Sequence, residues 1–393
     1  MKDFTFYAPT EIVFGREAQA KTAGLVKKHG GSKVFVVYGE GSAVRSGLLA
    51  QITGQLECDG LPCETYGGVK PNPLLSHARE GVRAALRFGA DFILAVGGGS
   101  VIDEAKAIAH GCKNPQTDIW KFWEREEKLN ASLPLGAVLT IAAAGSETSE
   151  SAVLTNDENG RKRGFSSEFN RPRFAVMNPK LAGTLPKFQI ACGVTDIMMH
   201  TLDRYFSTTD GNRTTDELAA ALLRVVIENG PAAVRDPADY QAMSEIMWCG
   251  SLSHNGLSGL GRPMDFSVHQ LAHELGGRFN VSHGAGLSAM WGAWAEYCWS
   301  TDARRFAQYA KSVWGVEEAD TEKTTLAGIE KTVQFFASIG MPVSLSQLGL
   351  GVLPESVICE LAESCVFYGK RLVGNFRPLD KEDIIKIYQL ANY

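Results

Sequence analysis

Short β-branched runs alternate with helical stretches through the first half of the chain, the pattern that βαβ units leave in a sequence. KVFVVYG (33–39) predicts a buried strand closing on a glycine turn. FILAVGGGS (92–100) predicts a second strand, and VIDEAKAIAHG (101–111) continues it as a helix. LPLGAVLTIAAAG (133–145) is a third candidate strand emptying into a small-residue turn, and RFAVMNP (173–179) predicts the last. From about residue 187 the period changes. TTDELAAALLRVVIENG (214–230) and KTTLAGIEKTVQFFASIG (323–340) carry apolar positions at helical spacing. Pro179 and Pro186 punctuate the switch. The expectation is an α/β domain over residues 1–185 followed by an all-helical domain over 186–393, a division that a chain of 393 residues also favours.

Composition narrows the class. Hydrophobic residues at 45% and charged ones at 21% describe a globular protein. A net charge of −5 gives no basic footprint for nucleic acid or an anionic membrane. The longest apolar stretch, 133–145, is too short to span a bilayer, and MKDFTFYAPT lacks the basic and apolar regions of a signal peptide. Eight scattered cysteines without a Cys-x-x-Cys pair suggest neither a thiolate zinc site nor a disulfide framework. These features point to a cytoplasmic enzyme with a small-molecule substrate.

Two groups of residues carry candidate chemistry. Gly97, Gly98, Gly99 and Ser100 follow an apolar strand and precede a helix opening at Val101. A helix N-terminus there offers N–H groups and a positive dipole end to a phosphate, and glycines let the backbone approach a pyrophosphate. A tight βα turn without a ligand would look the same, and the run is neither Gly-x-Gly-x-x-Gly nor a P-loop. Asp103 falls in the helix's first turn, where a carboxylate can cap or orient the loop. A second small-residue turn, AAAGSETS (142–149), ends the next strand and would close over the nicotinamide side. After the first strand come Tyr38-Gly39-Glu40-Gly41-Ser42 and Arg45. Gly39, Ser42 and Arg45 suit a 2′-phosphate, whereas Glu40 would repel one if turned inward. The expectation is NADP(H) favoured over NAD(H).

The second group reads as one divalent-metal site. Asp196 and His200 lie four apart in GVTDIMMHTLDRYF and so share a helix face. His269 and His273 repeat that spacing in VHQLAHELGG, and His283 follows in NVSHGAG. One carboxylate and three imidazoles, Asp196, His200, His269 and His283, suit Fe²⁺ or Zn²⁺. His273 stays open between ligand, partner of a ligand and proton carrier. His29, His77, His110 and His254 stand alone and read as surface or satisfied core residues. HQLAH has the spacing of a zinc hydrolase, but Gln270 stands where the general-base Glu belongs, and Glu274 does not restore it. A metal beside a nucleotide cofactor points to redox chemistry.

With these motifs in this order, the chain resembles the iron-containing (group III) alcohol dehydrogenases over essentially its whole length. FTFYAPTEIVFG (4–15) is similar to the family's N-terminal strand, VKPNP (69–73) to its Pro-Asn-Pro turn, AVGGGSVIDEAKAIA (95–109) to its coenzyme loop and AAGSETS (143–149) to its second turn. YGEGSAVRSG (38–47) resembles the butanol-dehydrogenase-like branch, which includes NADPH-dependent aldehyde reductases, and departs from it at Glu40. The resemblance implies a Rossmann-like dinucleotide-binding domain joined to a helical metal-binding domain, as in dehydroquinate synthases, and a homodimer. It implies ligands Asp196, His200, His269 and His283, with His273 on the cofactor side or in a proton relay. Cofactor contacts would come from Gly39, Glu40, Ser42, Asn72, Gly97, Gly98, Gly99, Ser100, Asp103, Thr140, Ser146 and Lys162, the last at the nicotinamide ribose. Asp103 would join His273 in the catalytic set. The implied reaction is hydride transfer between a nicotinamide and an aliphatic aldehyde or primary alcohol of butanol type. A carbon–oxygen elimination of the dehydroquinate synthase kind and a metallohydrolase are the alternatives. The uncharged Met198, Met199, Met264 and Phe266 suit an apolar aldehyde better than a sugar acid.

Overall fold

Three runs of the first half are too uniformly apolar to leave a face in water, and they become the inner strands of a parallel sheet. In the computed structural model, which describes residues 1–39, 41–208 and 211–393, β4 (Phe92–Gly97), β5 (Leu135–Leu139) and β8 (Phe174–Met177) are buried at every position. With β1 (Glu11–Phe14), β2 (Val34–Gly39) and β3 (Cys63–Val69) they form six parallel strands in the order β1-β8-β5-β4-β2-β3. The chain steps from β2 outward to β3, then returns to place β4 on the other side of β2. Strand order therefore reverses between β2 and β4, the crevice where doubly wound sheets take their ligands. Gly39 and Gly97 end those two strands.

This unit comprises residues 7–185 and 237–251. Helix α1 (Leu48–Cys58) buries Leu48, Ile52 and Leu56 against Val34, Val36, Leu94 and Val96 of the sheet. Helices α2 (Leu75–Phe88) and α3 (Gly99–Lys113) follow β3 and β4. Three differences from the sequence reading have local causes. CETYGGV makes the edge strand β3 although it lacks an apolar alternation, because its backbone pairs with β2. The polar segments β6 (Ser151–Asn156) and β7 (Arg161–Ser166) pair as an antiparallel hairpin. Helix α3 begins at Gly99, two residues before the expected start, so Gly99 and Ser100 belong to its first turn.

The second unit comprises residues 1–6, 186–236 and 252–393 and is helical. Its labelled members are α4 (Lys187–Tyr205), α5 (Arg213–Arg235), α6 (Ser267–Phe279), α7 (His283–Cys298), α8 (Ala303–Trp314), α9 (Thr321–Ser338), α10 (Glu355–Cys365) and α11 (Lys381–Ala391). Helix α4 is buried continuously from Gly193 to Tyr205, so neighbours surround it. Polar side chains on such a helix are the informative ones, and it carries Asp196, His200, Asp203 and Arg204 among its buried residues. Among the described residues no helix is long and apolar enough to cross a membrane.

One ion-pair knot holds the C-terminal end of α4. Arg305 donates to both oxygens of Asp216 at 2.8 and 2.6 Å and also to the Tyr205 carbonyl, while Arg262 lies 2.6 Å from the same carboxylate. Burial raises the Asp216 carboxyl, but Arg305 and then Arg262 outweigh it and hold it below the usual carboxylate range. Asp216→Ala leaves two guanidinium groups without their carboxylate and should cost about 3–5 kcal/mol of stability, read as a lower urea midpoint. Because the folded value is depressed, this contribution is full above the ordinary carboxylate pKa of about 4 and is lost as pH falls through the folded value. The difference in midpoint between the wild type and Asp216→Ala should therefore shrink in strong acid.

Candidate functional site

The helical spacing of Asp196 and His200 puts both on one face of α4, and α6 and the start of α7 bring His269 and His283 to meet them. Three imidazole nitrogens converge on one carboxylate oxygen. The Nε2 atoms of His200, His269 and His283 lie 3.4, 3.7 and 3.6 Å from Asp196 Oδ1. These separations are long for hydrogen bonds. They match the edges of a coordination polyhedron, since bonds of about 2.0–2.2 Å in tetrahedral array put donor atoms about 3.3–3.6 Å apart. Donor atoms of Asp196, His200 and His269 lie within 4.8 Å of one another, and all three residues are buried.

The donor set fits a divalent cation on two further counts. Asp196 Oδ1 and His269 Nε2 are buried without a hydrogen-bond partner, which is costly for a polar atom out of water. The local field also favours positive charge at His269. Burial works against its imidazolium, yet the carboxylates of Asp203 and Asp196 prevail and raise it to about 9. Burial holds His200 well below the ordinary histidine value, helped by the neighbouring imidazoles of His254 and His269. His200 thereby keeps the neutral form that ligates.

The close meeting of α4 and α7 depends on a glycine. A Cβ at Gly284, next to His283, would lie 2.4 Å from the Cys192 carbonyl oxygen and 2.7 Å from its Cα. His273 stands beside this group rather than within it, its ring 5.3 Å from that of His283 and 6.4 Å from that of His269. Gln270 accepts a hydrogen bond from Arg371 at 2.8 Å. No general base for hydrolysis therefore occupies that position.

Sequence reasoning missed two neighbours of the centre. His254 was expected to stand apart, but its ring stacks on His200 at 3.9 Å. Asp203, one turn beyond His200, reaches His269 Nδ1 at 2.5 Å. The first had no local signal, whereas the second completes an i, i+4, i+7 stripe with Asp196 and His200 that periodicity could have revealed.

The sheet unit gathers most of the expected coenzyme residues at the carboxyl ends of β2, β4 and β5. No side chain caps α3, whose N-cap is Gly98. Two glycines of the turn are required by packing: a Cβ would lie 2.5 Å from Val101 at Gly97 and 2.2 Å from Ile141 at Gly98. Gly99 differs, because its Cβ position meets nothing nearer than Ala144 at 3.8 Å. Ser100 lies in the first turn of α3. Thr140 donates its N–H to the Gly97 carbonyl and joins the ends of β5 and β4. Lys162, on the hairpin, donates to Asn72 Oδ1 at 2.8 Å, so residues ninety apart in sequence come together. Asn72 has φ of 56° in the Pro-Asn-Pro turn. Gly39 ends β2 and Ser42 opens the short helix after it, over which Arg45 folds against Gly41. Glu40 lies outside the described residues.

Asp103 is engaged inside the protein. It accepts from Ser146 Oγ at 2.5 Å and from the Val153 N–H at 2.9 Å. Lys106, fully buried and not anticipated, donates to Ser146 Oγ, the Ser146 carbonyl and the Ser151 carbonyl at 2.8, 2.8 and 2.6 Å. Burial lowers this ammonium to about 8 against the opposing pull of Asp103 and Glu147. The network fastens the 142–149 turn to α3.

A parallel sheet with a glycine-rich helix start, and a helical unit with a His₃Asp cluster, are features that a metal-dependent, nucleotide-linked oxidoreductase requires. The family profile "Iron-containing alcohol dehydrogenase" matches residues 9–179, and "Fe-containing alcohol dehydrogenase family, C-terminal" matches residues 190–392. The chain belongs to the iron-containing alcohol dehydrogenase family. It is 34% identical over 391 residues to NADH-dependent butanol dehydrogenase A of Clostridium acetobutylicum, covering 99% of each chain. It is 32% identical to the NADPH-dependent aldehyde reductase YqhD of Escherichia coli, covering 100% of each. The crystal structure of NADH-dependent butanol dehydrogenase A from Thermotoga maritima superposes with a TM-score of 0.95 at 32% identity, over 100% of this chain and 99% of that one. The protein is accordingly a metal-dependent, NAD(P)-linked alcohol dehydrogenase or aldehyde reductase.

Gly284→Ala should push α7 from α4 and carry His283 away from Asp196. The expected result is zinc affinity reduced by at least about tenfold, together with destabilisation of about 1–3 kcal/mol. Competition with a chromogenic chelator and urea unfolding would measure the two effects.

Proposed function

We propose that this protein interconverts short-to-medium aliphatic aldehydes and primary alcohols, with one Fe²⁺ or Zn²⁺ held by Asp196, His200, His269 and His283. The observation that carries the reading is the convergence of three Nε2 atoms at 3.4–3.7 Å on a buried carboxylate oxygen. The names of relatives as butanol dehydrogenase and aldehyde reductase support the substrate class. When bound, such an ion supplies Lewis-acid polarisation of a carbonyl oxygen, and a reduced nicotinamide supplies hydride. The chain's own residues do the rest. One carboxylate against three neutral ligands leaves a divalent site net positive, which favours an anionic oxygen. In this reading His273, half-buried beside His283, carries a proton at its ring nitrogens. Asp103 acts through Ser146 and the Val153 N–H, holding the coenzyme turn in shape. Ser42, Asn72, Thr140 and Lys162, with the 97–100 turn, are the proposed coenzyme contacts.

NADPH is the proposed coenzyme, because Arg45 folds over the Gly41 turn at the end of β2, where a 2′-phosphate would sit. A second reading, NADH, is favoured by the acidic Glu40 at this point of the sequence and by the NADH-dependent butanol dehydrogenases among the relatives. The eight cysteines are all unbridged, in keeping with a reducing cytoplasm. Homodimer formation is proposed through the N-terminal segment. Phe4, Phe6 and Tyr7 are about half exposed at 51%, 46% and 50%, and the edge strand β1 follows them.

The chelator-stripped protein, reloaded separately with Zn²⁺ and Fe²⁺, should oxidise NADPH faster than NADH with butanal. His269→Ala should lose at least about 100-fold in metal affinity and turnover with it. Turnover that survives both chelation and His269→Ala would refute the metal assignment, and faster NADH oxidation would select the second coenzyme reading. Light scattering should give a dimer mass, and replacing Phe4 and Phe6 by Ser should shift it towards the monomer.

A further inference from the structure

The hydrogen-bonding capacity of an imidazole is divided between two nitrogens, so whatever binds one dictates the tautomer at the other. His269 faces Asp196 Oδ1 with Nε2, 3.7 Å away, and turns Nδ1 to Asp203 Oδ2 at 2.5 Å. Asp203 and His269 are 1% and 3% exposed, so water cannot substitute for the contact. We propose that Asp203 is the positioning residue of the metal centre: its carboxylate accepts the Nδ1–H of His269, fixes the ring's direction and leaves the Nε2 lone pair facing the ion. The inference rests on the metal site proposed above and assigns a role to a residue outside the four ligands.

Three features support it. Asp196, His200 and Asp203 lie at i, i+4 and i+7 of α4, so one helix face delivers two ligands and the group that orients a third on α6. The helix α6 is itself held in register with α4, because the Asp265 N–H donates to the Asp203 carbonyl at 2.8 Å. Asp265 in turn accepts the N–H groups of Ser267, Asn375 and Phe376 at 3.0, 2.8 and 2.8 Å, anchoring the segment that leads into α6. The contact at His200 is of another kind: Arg204, which only donates, lies 3.4 Å from His200 Nδ1. The Asp203 contact therefore acts on His269 in particular. A carboxylate behind a ligating histidine raises its basicity as well as aiming it, and losing one costs about 10–100-fold in metal affinity.

The test compares Asp203→Asn and Asp203→Ala with the wild type by zinc competition and by the visible absorption of the Co²⁺-loaded protein. The asparagine keeps the volume and a weak acceptor, while the alanine keeps neither. We expect zinc affinity to fall about tenfold for Asn and about 100-fold for Ala, with the Co²⁺ band shifted in the same order and apoprotein unfolding temperature nearly unchanged in Asp203→Asn. Wild-type affinity and an unshifted band in Asp203→Asn and Asp203→Ala would overturn the proposal. So would losses that merely follow a fall in apoprotein stability, which would make Asp203 a fold residue. Should Asp203→Ala fail to fold, the affinity and Co²⁺ band of Asp203→Asn decide alone by the same criteria. A wild-type protein that binds neither Zn²⁺ nor Co²⁺ would instead refute the metal site itself, so the two failures are distinct.

Discussion

A carboxylate removed from water at the centre of a helical unit is the constraint around which that unit is organised. Taking an ionised Asp196 into the interior costs several kcal/mol unless opposite charge and hydrogen-bond donors meet it. Its Oδ1 has no hydrogen-bond donor, and what stands around it is three imidazole nitrogens at 3.4–3.7 Å. That arrangement is poor as a hydrogen-bonded cluster and good as a coordination sphere. Other features of the unit follow from keeping these groups in place. Helix α4 is buried on nearly all sides, Gly284 permits the approach of α7, and Arg305 anchors the end of α4 through Tyr205 and Asp216.

The sheet unit solves a different problem, how to hold an open backbone turn rigidly without filling it. Gly97 and Gly98 are there because Val101 and Ile141 leave no room for a Cβ, and only Gly99 opens onto space. The neighbouring turn is fixed by a buried ammonium. Lys106 satisfies its three donor positions on Ser146 and Ser151, while Asp103 closes the network through Ser146 and Val153. Such a network is stable only when every member is satisfied. Asp103, a residue expected among the catalytic groups, is a hydrogen-bonded member of this network.

The fold class was legible where chemistry repeats locally. β2, β4, β5 and β8 were visible because strands buried on both faces must be apolar throughout, and the helical second half because its apolar positions recur at helical period. The edge strand β3 and the β6–β7 hairpin were not, because CETYGGV, SAVLTN and RKRGFS owe their conformation to backbone pairing with a partner rather than to their own pattern. The start of α3 at Gly99 was displaced for a similar reason, since helix ends are set by the loops they meet.

By itself the sequence determined which residues share an element's face: Asp196 with His200, His269 with His273, and the small residues at the strand ends. It also carried the order of motifs that marks the family. Only the tertiary structure decided what each face meets. It set His283 against Asp196 and His273 beside them, stacked His254 on His200, and aimed Asp203 at His269 from another helix. It likewise joined Lys162 to Asn72 across ninety residues. The reason is physical. Periodicity follows from the geometry of one helix or strand, whereas a contact between elements depends on how closely two backbones can approach, and that is decided by packing at places such as Gly284 and Cys192.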